Sequence, residues 1–368
     1  MVAVTLIGKS NGVGLARDLR LLADVLERCG CSVQVHATQR SDGRMRRSLT
    51  VQTLARARAW LRARRARPTF SPTPGAPVTP DAPLSVNLML EHVWPQFLHT
   101  ADLNIVVPNP EWFDRRDRRL LGALDGVWAK TGHTQAVFNA LGCRTALIGF
   151  DSEDRYQADI ERERSFFHLA GKSQMKGTVP LLRLWQRHPE WPILVVVDHL
   201  ADEHEPPAAA NIRRYRTYLP DEELRALQNR SRFHLCLSVA EGWGHYIVEA
   251  LSVGAVTLTL DAAPMNELVQ PERGLLVSCK AHGQQHLAQT FGFDDAALER
   301  SITRALALQE AELARVGAAA RQWYLDNRRG FPARVGQALQ QLGDPGLGRV
   351  RHADAVAAGA GAGASGSG

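Results

Sequence analysis

The 368-residue sequence predicts an α/β protein made of two parallel-sheet domains, and three observations carry that prediction. The length suits two domains, each large enough to bury a sizeable core. Short apolar, β-branched runs of the kind buried on both faces of a parallel sheet alternate with stretches of helical periodicity. Glycine loops join strand to helix at both the start and the centre of the chain, the arrangement that opens βαβ units.

The clearest of these units is residues 233–254. Phe233 to Val239 is an almost unbroken apolar run, the Glu241-Gly242-Trp243-Gly244 turn follows, and Tyr246, Ile247, Ala250, Leu251 and Val253 then recur at helical spacing up to Gly254. The N–H groups of the first helical turn and the positive end of the helix dipole favour an anion at such a loop, and its glycines let a diphosphate approach. Glu241 and Glu249 flank the place. Carboxylates beside a phosphate site need another task, such as accepting hydrogen bonds from sugar hydroxyls or stabilising positive charge at an anomeric carbon. Their spacing alone is equally that of two solvated surface acids.

The chain opens with a strand over 2–7 and a glycine loop leading into a helix, with Leu15, Leu19, Leu22, Val25 and Leu26 on one side; residues 32–36 form the next strand. Gly8-Lys9-Ser10 is not a P-loop, because Ala3 stands where its first glycine is required, and Arg17 replaces the third glycine of a dinucleotide fingerprint. Asn11, Gly12 and Gly14 are candidate cleft residues in this loop, or simply a tight turn. A strand follows over 84–90, a strand and loop over 104–113, and a strand, turn and helix over 125–143. Ligands of open parallel sheets sit beyond the carboxyl ends of strands, which singles out Glu91, His92, Asn109, Glu111, Lys130 and Thr131. His92 is a candidate catalytic residue and Asn109, Glu111 and Lys130 candidate acceptor-side residues; capping a helix or closing a loop is the alternative for each. Residues 144–153 read as the crossing to the second domain, which continues through strands over 191–197 and 255–260 and turns helical from about Asp294 to Leu342.

The basic character of the chain is local. Of 44 Lys and Arg against 38 Asp and Glu, nine arginines and no acid lie in residues 44–67, beside Val51, Leu54, Trp60 and Leu61, and a proline-rich loop follows over 70–83. This composition suits contact with anionic lipid headgroups, and equally a solvated helix. Nucleic acid is disfavoured as a partner, because the aromatic interleaving of a single-strand reader is nearly absent. The five cysteines lack paired CxxC spacing and read as reduced structural residues. No apolar run of membrane-spanning length and no signal-peptide pattern occurs, so the expected location is cytoplasmic, with the inner membrane face as a place of peripheral contact.

Residues 241–269, EGWGHYIVEALSVGAVTLTLDAAPMNELV, resemble the E-x7-E signature and downstream segment of family 4 glycosyltransferases, retaining enzymes with two Rossmann-like domains, the GT-B fold. The resemblance implies that Glu241 lies by the donor sugar and that Glu249 holds the ribose of the nucleotide, with Gly242, Trp243 and Gly244 at the donor diphosphate. It nominates Lys172 and Lys176 as the basic pair on that diphosphate, although Lys172 stands where the family usually has Arg and the loop is one residue shorter. The loop at Leu219 would hold the base through backbone groups.

The expected organisation is an acceptor-side domain over 1–150 with an insertion at 44–83, and a donor-side domain over 151–330. A terminal helix over 331–345 returns to the first domain, and a low-complexity, disordered tail occupies 355–368. The implied activity is transfer of a sugar from a UDP-, GDP- or ADP-sugar to a hydroxyl of a glycan, lipid-linked or protein acceptor, in glycoconjugate synthesis. No cofactor or metal is expected, since no Asp-x-Asp occurs. An epimerase or a phosphorylase on the same fold, and a basic membrane- or nucleic-acid-binding protein, are the alternatives.

Overall fold

The computed structural model describes residues 2–9, 13–64, 84–199 and 209–342. Asn11 and Gly12 lie outside these, as do the proline-rich loop and the tail.

The first half carries β1 (Val2–Lys9), α1 (Val13–Arg28), β2 (Ser32–Thr38), α2 (Arg40–Arg47), α3 (Leu49–Arg64), β3 (Leu84–Glu91), β4 (Leu103–Pro108), α4 (Arg115–Arg118), β5 (Gly126–Ala129), α5 (Gly132–Ala140) and β6 (Thr145–Leu147). The second carries β7 (Glu163–Gly171), α6 (Thr178–Gln186), β8 (Leu194–Asp198), β9 (Ile212–Tyr215), α7 (Asp221–Arg230), β10 (Ser231–Cys236), α8 (His245–Ser252), β11 (Val256–Leu260), α9 (Met265–Leu268) and β12 (Gly274–Val277). It continues with the hairpin β13 (Lys280–Gln285) and β14 (Ala288–Gly292), then α10 (Asp295–Ala307) and α11 (Glu310–Leu342). Two six-stranded sheets result, ordered β2-β1-β3-β4-β5-β6 and β12-β11-β10-β7-β8-β9. Every strand pair in both is parallel. The predicted α/β architecture of two Rossmann-like sheets is therefore the observed one.

Hydrophobic periodicity explains the layers. On α1 the predicted stripe buries Leu19, Leu22, Val25 and Leu26 against the first sheet. In the second sheet Phe166 of β7 stacks on Phe233 of β10, with ring centroids 4.7 Å apart, and meets Trp185 of α6 edge to face at 4.9 Å. Trp185 is fully buried and its indole N–H donates to the Pro192 carbonyl at 3.0 Å.

Three details differ from the sequence reading. The central strand runs Ser231–Cys236 rather than Phe233–Val239, because Leu237 to Ala240 leave the ladder, where Val239 N–H donates to Met175 O at 2.9 Å. The predicted end helix is the last part of one continuous helix, α11, whose later turns reach the first half: Arg334 Nε donates to Ile148 O at 2.8 Å and Arg144 Nη2 to Gln341 O at 2.6 Å. The hairpin β13–β14 was not foreseen. Leu287 at its tip packs into the core of the first half and its N–H donates to Pro110 O at 3.0 Å, while Phe291 N–H donates to Val239 O at 2.8 Å beside the central loop. The five cysteines are free thiols, and among the described residues no helix is long and apolar enough to cross a membrane.

Phe166 sits where three aromatic rings meet, so Phe166→Ala is expected to remove about 3–5 kcal/mol of stability. A shift of the urea midpoint measures it.

Candidate active site

Each sheet has one place where strand order reverses, and crevices that bind ligands form there, beyond the carboxyl ends of the strands. In the first sheet the reversal lies between β1 and β3; in the second it lies between β7 and β10. The two reversals face each other, and most of the residues singled out in the sequence gather around them.

On the second side, Lys176 follows β7 and Glu241 follows β10. Lys176 Nζ pairs with Glu241 Oε1 and lies 3.8 Å from the centre of the Tyr246 ring. Ser238 Oγ donates to the same Glu241 oxygen at 2.5 Å, and Tyr246 Oη accepts the Ser238 N–H at 3.0 Å. Burial pushes the Tyr246 phenol well above its ordinary range, so it is held neutral. Two glycines are required here. Gly244, the residue before α8, has φ +86°, and a β-carbon on Gly242 would run into the Asn109 side chain from the opposite half. Trp243 is buried and donates to Ser152 Oγ at 3.1 Å. Lys172 is exposed on the same loop as Lys176. Leu219 is buried with Phe167, Val195, Val197 and Leu227 just ahead of α7, so its side chain belongs to the core.

On the first side, Glu91 ends β3 with φ +64°, a left-handed conformation that costs about 1–3 kcal/mol for a residue with a side chain. It turns His92 inward, where the buried imidazole bridges Asp117 (Nδ1, 2.9 Å) and Glu91 (Nε2, 3.3 Å). Arg46 is buried too, and holds Asp117 at 2.7 Å and Asp114 at 3.1 Å. One arginine of the basic segment thus serves the site's framework rather than the surface. Lys130 donates to Asp18 at 2.6 Å and to Asn109 Oδ1 at 3.2 Å. Gly14 lies exposed on the first turn of α1.

Glu111 is enclosed, and its Oε2 has no hydrogen-bond partner among the described residues. Burial, with the negative charge of Glu241 adding to it, pushes this carboxyl up to about 8. At neutral pH it is largely an uncharged acid.

Contacts across the cleft are the part that sequence reasoning missed. Arg17 pairs with Glu249, whose other oxygen accepts from Gln228 Nε2 at 3.0 Å. Asp18 accepts from His245 Nε2 at 2.6 Å, and His245 Nδ1 lies 2.8 Å from Ser152 Oγ. Burial raises Asp18, but the charges of Lys130 and His245 outweigh it and hold this carboxyl far below its ordinary range. Glu267 caps a helix of the other half: its two oxygens accept the N–H groups of Gly132 and His133 at the start of α5, each at 2.7 Å. A signal for Asp18 existed, since it falls four positions before Leu22 and seven before Val25, an acid on the apolar stripe of α1. Among the described residues no cluster of three His, Cys, Asp or Glu side chains is grouped to hold a metal ion.

No protein-family model matches the chain, and no curated protein matches it at a significant level. Solved structures do. The fold is similar to that of sucrose-phosphate synthase from Thermosynechococcus elongatus, with TM-score 0.64 and 14% identity over 93% of this chain and 99% of that one. It is similar to Anabaena HepE in complex with UDP, with TM-score 0.58 and 14% identity over 93% and 99%. It is similar also to the pneumococcal O-GlcNAc transferase GtfA in complex with UDP and GlcNAc, with TM-score 0.56 and 14% identity. That match covers 71% of this chain and only 57% of the transferase, so this chain spans little more than half of that protein's length. These likenesses establish the GT-B fold.

The state of Glu111 makes the stability depend on pH. Its pKa is raised in the folded chain, from an unfolded value of 4.5 to about 8, so its contribution is complete below the unfolded value and lost as pH rises through the folded one. Glu111→Gln is therefore expected to melt at a higher temperature than the wild type at pH 9, with the gain shrinking towards pH 4.5. An equal shift at both pH values would contradict a buried neutral acid.

Proposed function

We propose that this chain is a glycosyltransferase that moves a sugar from a nucleoside diphosphate donor to an acceptor hydroxyl with retention of anomeric configuration. The observation that carries the reading is the grouping at the second reversal point. Lys176 and the start of α8 supply positive charge at one spot, Glu241 stands beside them, and Glu249 lies about one turn into α8. The likeness of residues 241–269 to family 4, and the UDP held by two of the similar structures, support the same assignment.

In this reading the donor diphosphate lies on Lys176 and the first turn of α8, which stabilise the negative charge that grows as the sugar departs. Ribose meets Glu249. Glu241, freed in part from Lys176 by the competing phosphate, faces the sugar as its anomeric carbon gains positive charge. The acceptor enters from the first half, where Asn109, Lys130, His92 and Glu111 line the opposite wall. The chain's own cations neutralise the diphosphate, so no metal is required. An epimerase or a phosphorylase on this fold differs in its product: the first changes the sugar without an acceptor and the second consumes orthophosphate.

The surface of α2 and α3 favours a membrane-associated acceptor. Met45, Leu49, Leu54 and Leu61 are exposed among the exposed arginines Arg44, Arg47, Arg56 and Arg58, the combination that settles on anionic headgroups. A lipid-linked acceptor would be met there.

Calorimetric titration of UDP, GDP and ADP in chelator, with Glu249→Ala alongside, tests the donor site. One nucleotide is expected to bind, and the substitution to weaken it; wild-type protein that is folded and binds none contradicts the reading. Lys176→Ala removes one charge-assisted contact of about 1.5–3 kcal/mol, so roughly a ten- to hundredfold loss of turnover is expected; less than twofold takes Lys176 out of the site. Turnover is expected to persist in chelator. Its loss, with recovery on adding a divalent metal, would show that the cations of the chain are not sufficient.

A further inference from the structure

Arg17 belongs to α1 in the first half, yet its guanidinium is committed across the cleft. Its Nη1 donates to Glu249 Oε1 and Gln228 occupies the other oxygen, so a carboxylate that is only 3% exposed has both oxygens engaged. The group proposed above to take ribose is thus filled by a cation of the opposite half. Arg17 also has donor capacity unspent, since its Nε is enclosed without a hydrogen-bond partner among the described residues. The start of α8 lies about one turn, ~5.4 Å along the helix, from Glu249, a displacement that a change of arginine rotamer covers.

We propose that Arg17 is an exchange residue of the donor site: in the empty cleft it occupies Glu249, and on donor binding the ribose hydroxyls replace it there while the guanidinium moves onto the diphosphate. The inference rests on the donor site proposed above. The two movements require each other. Withdrawing a guanidinium from a buried carboxylate leaves an uncompensated charge unless other donors arrive, and the paired hydroxyls of ribose are such donors. The released guanidinium in turn needs an anion, and a diphosphate offers two oxygens to its planar fork. The helix need not move. Asp18, the next residue, keeps α1 docked through Lys130 and His245 without help from Arg17.

The exchange makes binding depend on the phosphates. A nucleoside alone displaces the guanidinium without giving it a new partner, whereas a nucleoside diphosphate supplies one. The test measures binding of UDP, GDP and ADP, and of the nucleoside matching whichever binds, to the wild type, Arg17→Met and Arg17→Gln. The preference for diphosphate over nucleoside is expected to fall at least tenfold in both variants, because diphosphate binding weakens while nucleoside binding holds or tightens. Arg17→Gln, polar but without the charge, guards against misfolding of the Met variant. If the wild type binds a diphosphate but the preference is unchanged in the variants, the donor site stands and the exchange is wrong. If the wild type binds none of the three, the donor site and the exchange fall together.

Discussion

Two parallel sheets meet here with the carboxyl ends of their strands towards each other, and the chemistry of the molecule follows from that constraint. Parallel strands end in loops rather than hairpins, and each loop delivers side chains to the same edge of its sheet. When two such edges face each other, acids and bases from distant parts of the chain are forced into one enclosed space. Lys176, Glu241, Glu249 and His245 come from one edge, and Asp18, Glu91, Asn109, Glu111 and Lys130 from the other.

Such crowding has to be neutralised where it is buried. Asp18 takes both Lys130 and His245, Arg46 takes both Asp114 and Asp117, and Glu267 takes the free N–H groups of a helix in the opposite half. Buried pairs of this kind add little net stability, because desolvation offsets most of their attraction, but breaking one by removing a partner is costly. Each pair named is matched in the cleft, whereas Glu111 is held largely uncharged at neutral pH. Backbone supports the same geometry: Gly242 leaves room for Asn109, and the hairpin β13–β14 ties the loop after β4 to the loop after β10.

The fold was legible because it is written in local periodicity. Buried parallel strands such as Leu194–Asp198 are short continuous apolar runs, and α1 carries its stripe at helical spacing. The central loop and its helix were legible for a different reason, since Glu241, Gly242, Gly244 and Glu249 follow one another in a single strand-loop-helix unit. What the sequence did not display was pairing at long range. Arg17 and Glu249 are 232 positions apart, and nothing local to either marks the other. Arg46 looked like one more surface arginine in a basic run, because only the tertiary position of Asp117 distinguishes it. The hairpin escaped because β13 is polar and exposed along most of its length and neither strand carries a strong apolar pattern.

A structure of the protein with UDP bound, determined in the presence of chelator, bears most directly on the assignment of the second reversal point as the donor site. The diphosphate is expected within hydrogen-bonding distance of Lys176 Nζ and the first turn of α8, with the ribose hydroxyls on Glu249. A nucleotide seated instead at the first reversal point, beside Lys9 and Glu91, with the Lys176–Glu241 pair undisturbed, would contradict it.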